Sequence, residues 1–295
     1  MKKIGFIGLG TMGKPMALNL IKAGYDMYVV DTCIAAVHDA AEAGANVCST
    51  PAEVAYEVDV LITMLPNEKI VDSVLNGEDG FMQNAKSEAI IVDMSTVSPI
   101  FTRDMAKKAK LKGIEYVDAP VSGGQAGAQK GTLAIMIGGE ESTVKKLLPV
   151  FEAMGKKIYH IGDSGAGNTM KLVNNMLLGM NMAAVAEAVS MADKMGLDLN
   201  KFSEVVKESS GNSYAFTAKM DSFILSDNFE PGFAVDLQYK DLELAIATAK
   251  AENIPVPMAS LGQQFYEIAR AKGLGNKDIS SLVKIWADFG GNSSD

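Results

Sequence analysis

The chain has 295 residues, of which 48% are hydrophobic and 21% charged, and its net charge at pH 7 is −9. A chain of this length can form two domains with a sizeable core, and its acidic balance disfavours nucleic acid or anionic membranes as partners. Its two cysteines and two histidines stand apart in the sequence, so we expect neither a disulfide framework nor a metal site.

The N-terminal segment predicts a strand at 2–8. Lys2 and Lys3 precede an apolar stretch, as they do in a signal peptide, but this stretch continues directly into glycines and has no cleavage-like region. We therefore expect a reduced, cytoplasmic protein.

A glycine-rich segment follows this strand and predicts a dinucleotide site. It has the spacing GxGxxG, and a predicted helix at 14–23 comes directly after it. Such glycines let the backbone approach a pyrophosphate at the N-terminus of a helix. The six residues are Gly8, Leu9, Gly10, Thr11, Met12 and Gly13.

Asp31 ends the second predicted strand, 26–30, and bears on the choice of cofactor. Its carboxylate would accept hydrogen bonds from both adenosine ribose hydroxyls and would repel a 2′-phosphate. No arginine occurs at 32–34. The sequence therefore favours NAD, with NADP possible if a cation outside the motif compensates.

Strands and helices then alternate, which predicts a parallel doubly wound sheet whose ligands bind at the carboxyl ends of the strands. The predicted strands are 60–64, 89–94, 116–118 and 133–137, and the predicted helices are 52–58, 69–75, 99–112 and 141–154. Residues that follow two of these strands are cofactor-site candidates, although turns and helix caps use the same residue types. They are Leu65, Pro66, Asn67, Ser95 and Thr96.

A segment rich in small residues, 119–132, contains Ser122, Gly123 and Gly124. Consecutive backbone N–H groups in such a turn can bind an anion, and the serine adds a hydroxyl donor. The segment is thus a candidate site for a substrate carboxylate, and a flexible connector is the alternative.

Residues 165–196 predict one long helix, roughly 40 to 45 Å at 1.5 Å per residue, that joins two halves of the chain. Its apolar run, 176–189, is interrupted and too short to cross a bilayer, so we expect a buried helix. Lys171, Asn174 and Asn175 have the spacing i, i+3, i+4 and project from one face. The positive end of the helix should lower the pKa of this lysine, which suits proton transfer; a solvated lysine with capping asparagines is the alternative.

The remaining chain predicts helices only, at 200–208, 216–225, 237–252, 258–272 and 280–289. Lys240 and Asp241 are expected at the start of one of them. The predicted organisation is a Rossmann-like dinucleotide-binding domain, 1–163, followed by an all-helical substrate and oligomerisation domain, 164–295.

Six segments together resemble the β-hydroxyacid dehydrogenases, the group that contains 3-hydroxyisobutyrate dehydrogenase, tartronate semialdehyde reductase and 2-(hydroxymethyl)glutarate dehydrogenase. The resemblance covers essentially the whole chain. The segments are FIGLGTMGKPMALNL at 6–20, MLPN at 64–67, DMST at 93–96, DAPVSGG at 118–124, GAGNTMKLVNN at 165–175 and YKDL at 239–242.

The resemblance implies that Lys171 is the catalytic acid/base. It also implies that Ser122, Gly123, Gly124 and Asn175 bind a β-hydroxy acid or semialdehyde, with Asn175 beside the reacting oxygen. Thr96 and Lys240 are implied to lie beside the cofactor. A homodimer or homotetramer built through the helical part is a further implication.

The segments KLVNNMLLGMNMA and SSGNSYAFTAKM look most like the 2-(hydroxymethyl)glutarate dehydrogenases, with tartronate semialdehyde and 3-hydroxyisobutyrate as alternative substrates. A second substrate carboxylate would require another cation, for which Lys219, Lys240 and Arg270 are candidates. A phosphosugar dehydrogenase would need a basic phosphate cluster that is not visible. A non-catalytic scaffold and an imine reductase are both disfavoured by the presence of Lys171.

Overall fold

The computed structural model describes residues 2–230 and 232–286. The chain divides into two compact units between Lys171 and Leu172. The first unit contains a sheet of nine strands, and the second is helical.

The sheet of the first unit is mainly parallel. Six neighbouring strands, in the order β3-β2-β1-β4-β5-β6, all run in the same direction. The chain order reverses between β1 and β4, and ligands of doubly wound folds bind at such a switch point. The strands are β1 Lys3–Ile7, β2 Asp26–Val30, β3 Asn46–Val47, β4 Val60–Thr63, β5 Ile90–Asp93, β6 Glu115–Asp118, β7 Val121–Ser122, β8 Leu133–Gly138 and β9 Gly155–Gly162.

One strand departs from the predicted all-parallel arrangement. β8 runs antiparallel to both β6 and β7, and it pairs in parallel with β9. Only residues 123–132 join β7 to β8, which is fewer than the dozen or more residues that a parallel crossover requires. The expectation of a Rossmann-like sheet is confirmed, but its last part is mixed.

Helices cover both faces of this sheet. Along β4, Val60 and Ile62 pack into one hydrophobic cluster while Leu61 packs into the other, as the period of two along a strand requires. The helices are α1 Gly13–Lys22, α2 Ile34–Glu42, α3 Pro51–Glu57, α4 Glu68–Asn76, α5 Phe81–Asn84, α6 Pro99–Leu111, α7 Gly124–Lys130 and α8 Glu141–Met154. The sequence pattern did not predict α2, α5 and α7, nor the strands β3, β7 and β9.

The long predicted helix is present as α9, Ala166–Lys194, with 29 residues. By length and apolar composition alone α9 could cross a bilayer, with a mean hydropathy of 1.2 over 18 residues. The buried core helix of a globular protein meets the same criterion, and 44% of that window is buried within the structure.

The second unit packs its helices around a core that includes Phe216 and Tyr266. The predicted helix 216–225 is only partly α-helical, because it passes into a π-helical turn at Met220–Ile224. The predicted helix 280–289 is a 3₁₀ segment over Ile279–Trp286, and residues 287–289 lie outside the described residues. The other helices are α10 Leu199–Lys207, α11 Tyr214–Lys219, α12 Val235–Ala251 and α13 Pro257–Ala271.

Candidate active site

The glycine loop runs from the end of β1 to the first residue of α1. A Cβ atom on Gly13 would lie 1.8 Å from the carbonyl oxygen of Gly8, so only glycine lets the helix start this close to the strand. At Gly10, by contrast, a Cβ would meet no atom of the described chain within 4 Å. The loop therefore combines a tight turn with an open face, as the binding of a pyrophosphate requires.

Asp31 is bound to this loop. Its carboxylate accepts hydrogen bonds from the backbone N–H groups of Leu9 and Cys33, the latter at 2.6 Å. A carboxylate offers about four acceptor positions, so each oxygen keeps capacity for a ribose hydroxyl. These residues fit NAD, because the glycine loop and the carboxylate that would accept hydrogen bonds from the ribose are hydrogen-bonded to each other.

The segments after β4 and β5 lie at the same edge of the sheet as the loop. β4 pairs with β1, and β5 pairs with β4. The N–H of Leu65 donates to Ser95 Oγ at 2.9 Å. Pro66 is exposed and Thr96 is half-buried. Asn67 caps α4 by accepting a hydrogen bond from Ile70 N at 3.0 Å, so its alternative role as a helix cap is present in the structure.

Two buried carboxyl groups at the same edge of the sheet were not selected as site residues from the sequence. Asp93 is fully buried and accepts hydrogen bonds from Thr63 Oγ1 at 2.8 Å and Tyr116 Oη at 3.1 Å. Burial raises the pKa of the Asp93 carboxyl and raises that of the Tyr116 hydroxyl well above its usual value. The sequence signal for both acids is a charge at the end of an apolar strand.

Asp118 is the second of these carboxyl groups, and it fixes the start of α9. Its two oxygens accept hydrogen bonds from the backbone N–H groups of Gly165 and Asn168, each at 2.7 Å. A Cβ on Gly167 would lie 2.9 Å from Asp118 Oδ2 and 2.4 Å from the backbone oxygen of Met136, so this close approach needs glycine. Burial raises the pKa of Asp118 to about 6, and the two N–H donors oppose that rise.

Asn168 completes this anchor. Its Oδ1 accepts from Val97 N at 3.2 Å and its Nδ2 donates to Thr102 Oγ1 at 3.1 Å. Lys171 follows three residues later and is 8% exposed. It is the sixth residue of α9, beyond the first turn in which a helix dipole acts strongly. Burial, rather than the helix end assumed from the sequence, is the feature that distinguishes Lys171.

The small-residue segment contains two backbone conformations that suit glycine. Ser122 ends β7 and is half-buried, and Gly123 and Gly124 follow with φ of 136° and 61°. Both glycines are exposed. The structure thus presents a backbone turn at Gly123, and the short helix α7 begins at Gly124.

In the second unit, Asn175 and Asp241 are both buried and hydrogen-bonded to each other at 2.6 Å. Lys240 Nζ lies 3.4 Å from Asp241 Oδ1. The expectation that Lys240 and Asp241 start a helix is wrong, because α12 begins at Val235. Backbone hydrogen bonds from Val235 and Asp236 to the 275–277 segment fix this earlier start.

The other cations proposed for a second carboxylate are held by acidic side chains. Lys219 is buried and donates to Asp278 Oδ2 at 2.7 Å. Arg270 forms ion pairs with Asp236 and Glu267 at 2.8 and 2.9 Å. Within residues 2–230 and 232–286, His38, Asp39 and Glu42 form a group with metal-ligand spacing, but all three are exposed and Asp39 is ion-paired with Lys14.

The first unit therefore has a dinucleotide-binding fold, with a glycine loop and an acid that is hydrogen-bonded to this loop. Two family sequence models match the chain. The first, for the NAD binding domain of 6-phosphogluconate dehydrogenase, covers residues 3–162. The second, for the NAD-binding part of NADP-dependent 3-hydroxyisobutyrate dehydrogenase, covers residues 165–286.

Similar proteins match over nearly their whole lengths. 2-(Hydroxymethyl)glutarate dehydrogenase of Eubacterium barkeri is 50% identical over 291 residues, which are 99% of this chain and 97% of the relative. The mitochondrial 3-hydroxyisobutyrate dehydrogenase of Drosophila melanogaster is 41% identical, over 96% of this chain and 89% of the relative.

A solved structure of Mycobacterium tuberculosis 3-hydroxyisobutyrate dehydrogenase with L-serine has a TM-score of 0.91. It is 35% identical to this chain and covers 96% of this chain and 98% of its own. The chain belongs to the β-hydroxyacid dehydrogenase family. It is an NAD(P)-dependent oxidoreductase of hydroxy acids, which confirms the predicted family, fold class, enzyme class and cofactor type.

Proposed function

We propose that the enzyme interconverts 2-(hydroxymethyl)glutarate and its semialdehyde, 2-formylglutarate, with Lys171 as the general acid/base. The observation that carries the proposal is a buried lysine on a helix whose first turn is anchored by Asp118. Such anchoring holds a proton-transferring group in a reproducible position, and positioning accounts for much of the rate in reactions of this kind.

When bound, the nicotinamide cofactor accepts or supplies the hydride. In the oxidation, Lys171 takes the hydroxyl proton as the hydride leaves the carbinol carbon, and in the reduction it returns that proton to the new hydroxyl oxygen. Asn175, four residues further along α9, contributes a hydrogen bond to the same oxygen. The functional division of the chain at 163/164 is part of the proposal.

Ser122, Gly123 and Gly124 are proposed to bind the carboxylate that is common to all substrates of this class. Support comes from the two consecutive glycines with positive φ, which orient backbone N–H groups in one turn, and from the adjacent serine hydroxyl. Gly8 to Gly13, Asp31, Leu65 to Asn67, Thr96 and Lys240 are proposed to contact the cofactor. NAD is preferred over NADP through the charge of Asp31.

The particular substrate is supported by the 50% identity to the Eubacterium barkeri enzyme. Tartronate semialdehyde and 3-hydroxyisobutyrate are the alternatives. The ion pairs of Lys219 and Arg270 disfavour either residue as the cation for a second substrate carboxylate. Lys240 is our candidate for that contact, because its ion pair with Asp241 Oδ1 is longer, at 3.4 Å.

A homodimer or homotetramer built through the helical part, located in the cytoplasm, completes the proposal. Large apolar side chains that are exposed on the second unit support self-association, since a second copy would cover them. They include Met191, Met195, Met258 and Leu261, with exposed fractions of 65%, 70%, 67% and 56%. Light scattering after size exclusion measures the oligomeric state, and a monomer at micromolar concentration contradicts this part.

The decisive assay follows NADH oxidation, with NADPH in parallel, against 2-formylglutarate, tartronate semialdehyde, methylmalonate semialdehyde and succinate semialdehyde, and NAD reduction by the matching alcohols. We expect the highest kcat/KM for the glutarate pair with NAD(H). If another alcohol in the panel has a higher kcat/KM, that alcohol is the substrate, and the proposed mechanism is unchanged. Feeble rates throughout, with NADH bound, would mean that the substrate lies outside this panel or that the protein is a non-catalytic scaffold.

A further inference from the structure

A polar cluster in the second unit joins α9 to α12 through the side chain of Asn175. Asn175 Nδ2 donates to Asp241 Oδ2 at 2.6 Å, and these two residues are only 2% and 3% exposed. On the other side, Asn174 Nδ2 donates to Asn175 Oδ1 at 3.0 Å. Both polar atoms of the Asn175 amide are therefore held by neighbouring side chains.

The carboxylate decides which way this amide faces. An ionised carboxylate only accepts hydrogen bonds, whereas an amide has two N–H donors on one side and an accepting oxygen on the other. Rotating the Asn175 amide by half a turn would place its oxygen 2.6 Å from an oxygen of Asp241. The observed orientation uses one N–H of Asn175 and leaves the second N–H as its remaining donor.

The same cluster also holds the backbone at this turn of α9. Gln238 Nε2 donates to the backbone oxygen of Asn175 at 2.9 Å, and Tyr266 Oη donates to that of Gly179 at 3.1 Å. A Cβ on Gly179 would lie 2.6 Å from Gln238 Nε2. Asn175 is thus fixed in both its main chain and its side chain.

Stability alone does not account for the presence of Asp241. Among the described residues, its Oδ1 is a buried atom that has an ion pair with Lys240 Nζ at 3.4 Å but no hydrogen-bond partner. In the same part of the chain, Gln238 Oε1 is buried without a hydrogen-bond partner as well. Burying such oxygens costs free energy, and a packed apolar residue at position 241 would avoid that cost.

We propose that Asp241 is a positioning residue that holds Asn175 with its second amide N–H directed at the reacting oxygen, so that Asn175 acts only as a hydrogen-bond donor. The inference rests on the proposed function, in which Asn175 contacts the substrate. A fixed donor stabilises the negative charge that develops on this oxygen during hydride transfer, and it needs no reorientation at the moment of reaction.

The test is a double-mutant cycle on Asn175→Ala, Asp241→Ala and the combined variant. Alanine has no acceptor for the Asn175 N–H, whereas asparagine could keep that hydrogen bond through its amide oxygen. NAD reduction is followed with 2-(hydroxymethyl)glutarate, or with 3-hydroxyisobutyrate if that is the faster alcohol in the panel above. We expect each single substitution to lower kcat by about 10- to 100-fold. Because Asp241 acts through Asn175, the combined variant should be no slower than Asn175→Ala. The dissociation constant of NADH should stay at its wild-type value.

Glu243→Ala is the matched control, because it also truncates a carboxylate side chain to alanine, at an exposed position of α12. We expect wild-type kcat from it. The melting temperature of Asp241→Ala should lie within about 5 °C of wild type, because one hydrogen bond is lost and the side chain that is removed is small.

A reversed pair, Asn175→Asp combined with Asp241→Asn, separates positioning from structural support. The hydrogen bond returns with its direction reversed, so the melting temperature lost in Asn175→Asp alone should recover. The activity should not recover, because the carboxylate at position 175 has no N–H to offer. Recovery of activity would overturn the donor role.

The remaining outcomes are also distinguishable. Wild-type activity in Asp241→Ala, with Asn175→Ala impaired, overturns the inference and leaves the proposed function intact. Additive losses in the combined variant overturn it too, because Asp241 would then act through another group, such as Lys240. Wild-type activity in Asn175→Ala removes Asn175 from the proposed function, and the inference falls with it.

Discussion

Asp118 and Asp241 are both buried acids that bind α9, but they hold it in different ways. Asp118 accepts two backbone N–H groups with its two oxygens, and so it fixes the start of the helix itself. Asp241 accepts a single side-chain N–H, from Asn175, and its other oxygen has an ion pair with Lys240 but no hydrogen-bond partner among the described residues. The first acid is therefore expected to matter for stability and for activity, and the second mainly for activity.

The largest effect on kcat should come from Lys171, on the helix whose start Asp118 fixes. Lys171→Ala removes the proposed acid/base, and we expect kcat to fall by about 10²- to 10⁴-fold. The NADH dissociation constant, measured by fluorescence, should be unchanged. Lys194→Ala changes an exposed lysine of the same helix and serves as the control. A Lys171→Ala enzyme that keeps most of its activity would remove this lysine from the mechanism.

Asp118→Asn tests the difference between Asp118 and Asp241 most directly. The amide can accept from only one of the two N–H groups and sets its own donor against the other. We expect the free energy of unfolding in urea to fall by about 1 to 3 kcal/mol and kcat to fall with it. Asp104→Asn, in an exposed pair with Lys108, is the control. Unchanged stability together with reduced kcat would make Asp118 resemble Asp241.

The pH dependence of the free energy of unfolding tests the contribution of Asp118 to stability in a second way. The pKa of Asp118 is raised to about 6 in the folded protein, so between its ordinary value near 4 and pH 6 the folded state binds more protons than the unfolded state. Its contribution to stability is complete below that window and is lost as pH rises through it, by about 3 kcal/mol. The fall should be smaller in Asp118→Asn, and an identical pH profile for both proteins would contradict the assignment.

The smallest effect is expected at Asp31, which also accepts two backbone N–H groups but is only half-buried. Because water can replace a lost contact there, Asp31→Asn should change the free energy of unfolding by less than about 1 kcal/mol. Its loss of charge should lower the preference of kcat/KM for NADH over NADPH by about 10-fold. Asp26→Asn, at the opposite end of β2, is the control. An unchanged cofactor preference would exclude Asp31 as the selecting residue.

Local patterns in the sequence determined much of this enzyme. The glycine spacing and Asp31 at the end of β2 were sufficient to predict the dinucleotide fold, and α8 was predicted with its observed ends, Glu141 and Met154. Such features depend on residues that are neighbours in sequence, so hydrophobic period and turn chemistry report them. The roles of Lys171, Asn175 and the Ser122–Gly124 turn remain predictions.

Only the tertiary structure decided the rest. It set the antiparallel course of β8, since strand direction follows from which edge a short connection can reach. It also brought Asp118 into hydrogen bonds with residues up to 50 positions away, and Asp241 into a hydrogen bond with a residue 66 positions away. The hydrogen-bond partner of a lone charge at the end of an apolar strand cannot be predicted from the local sequence. A hydrogen bond over that separation exists only after the chain has packed.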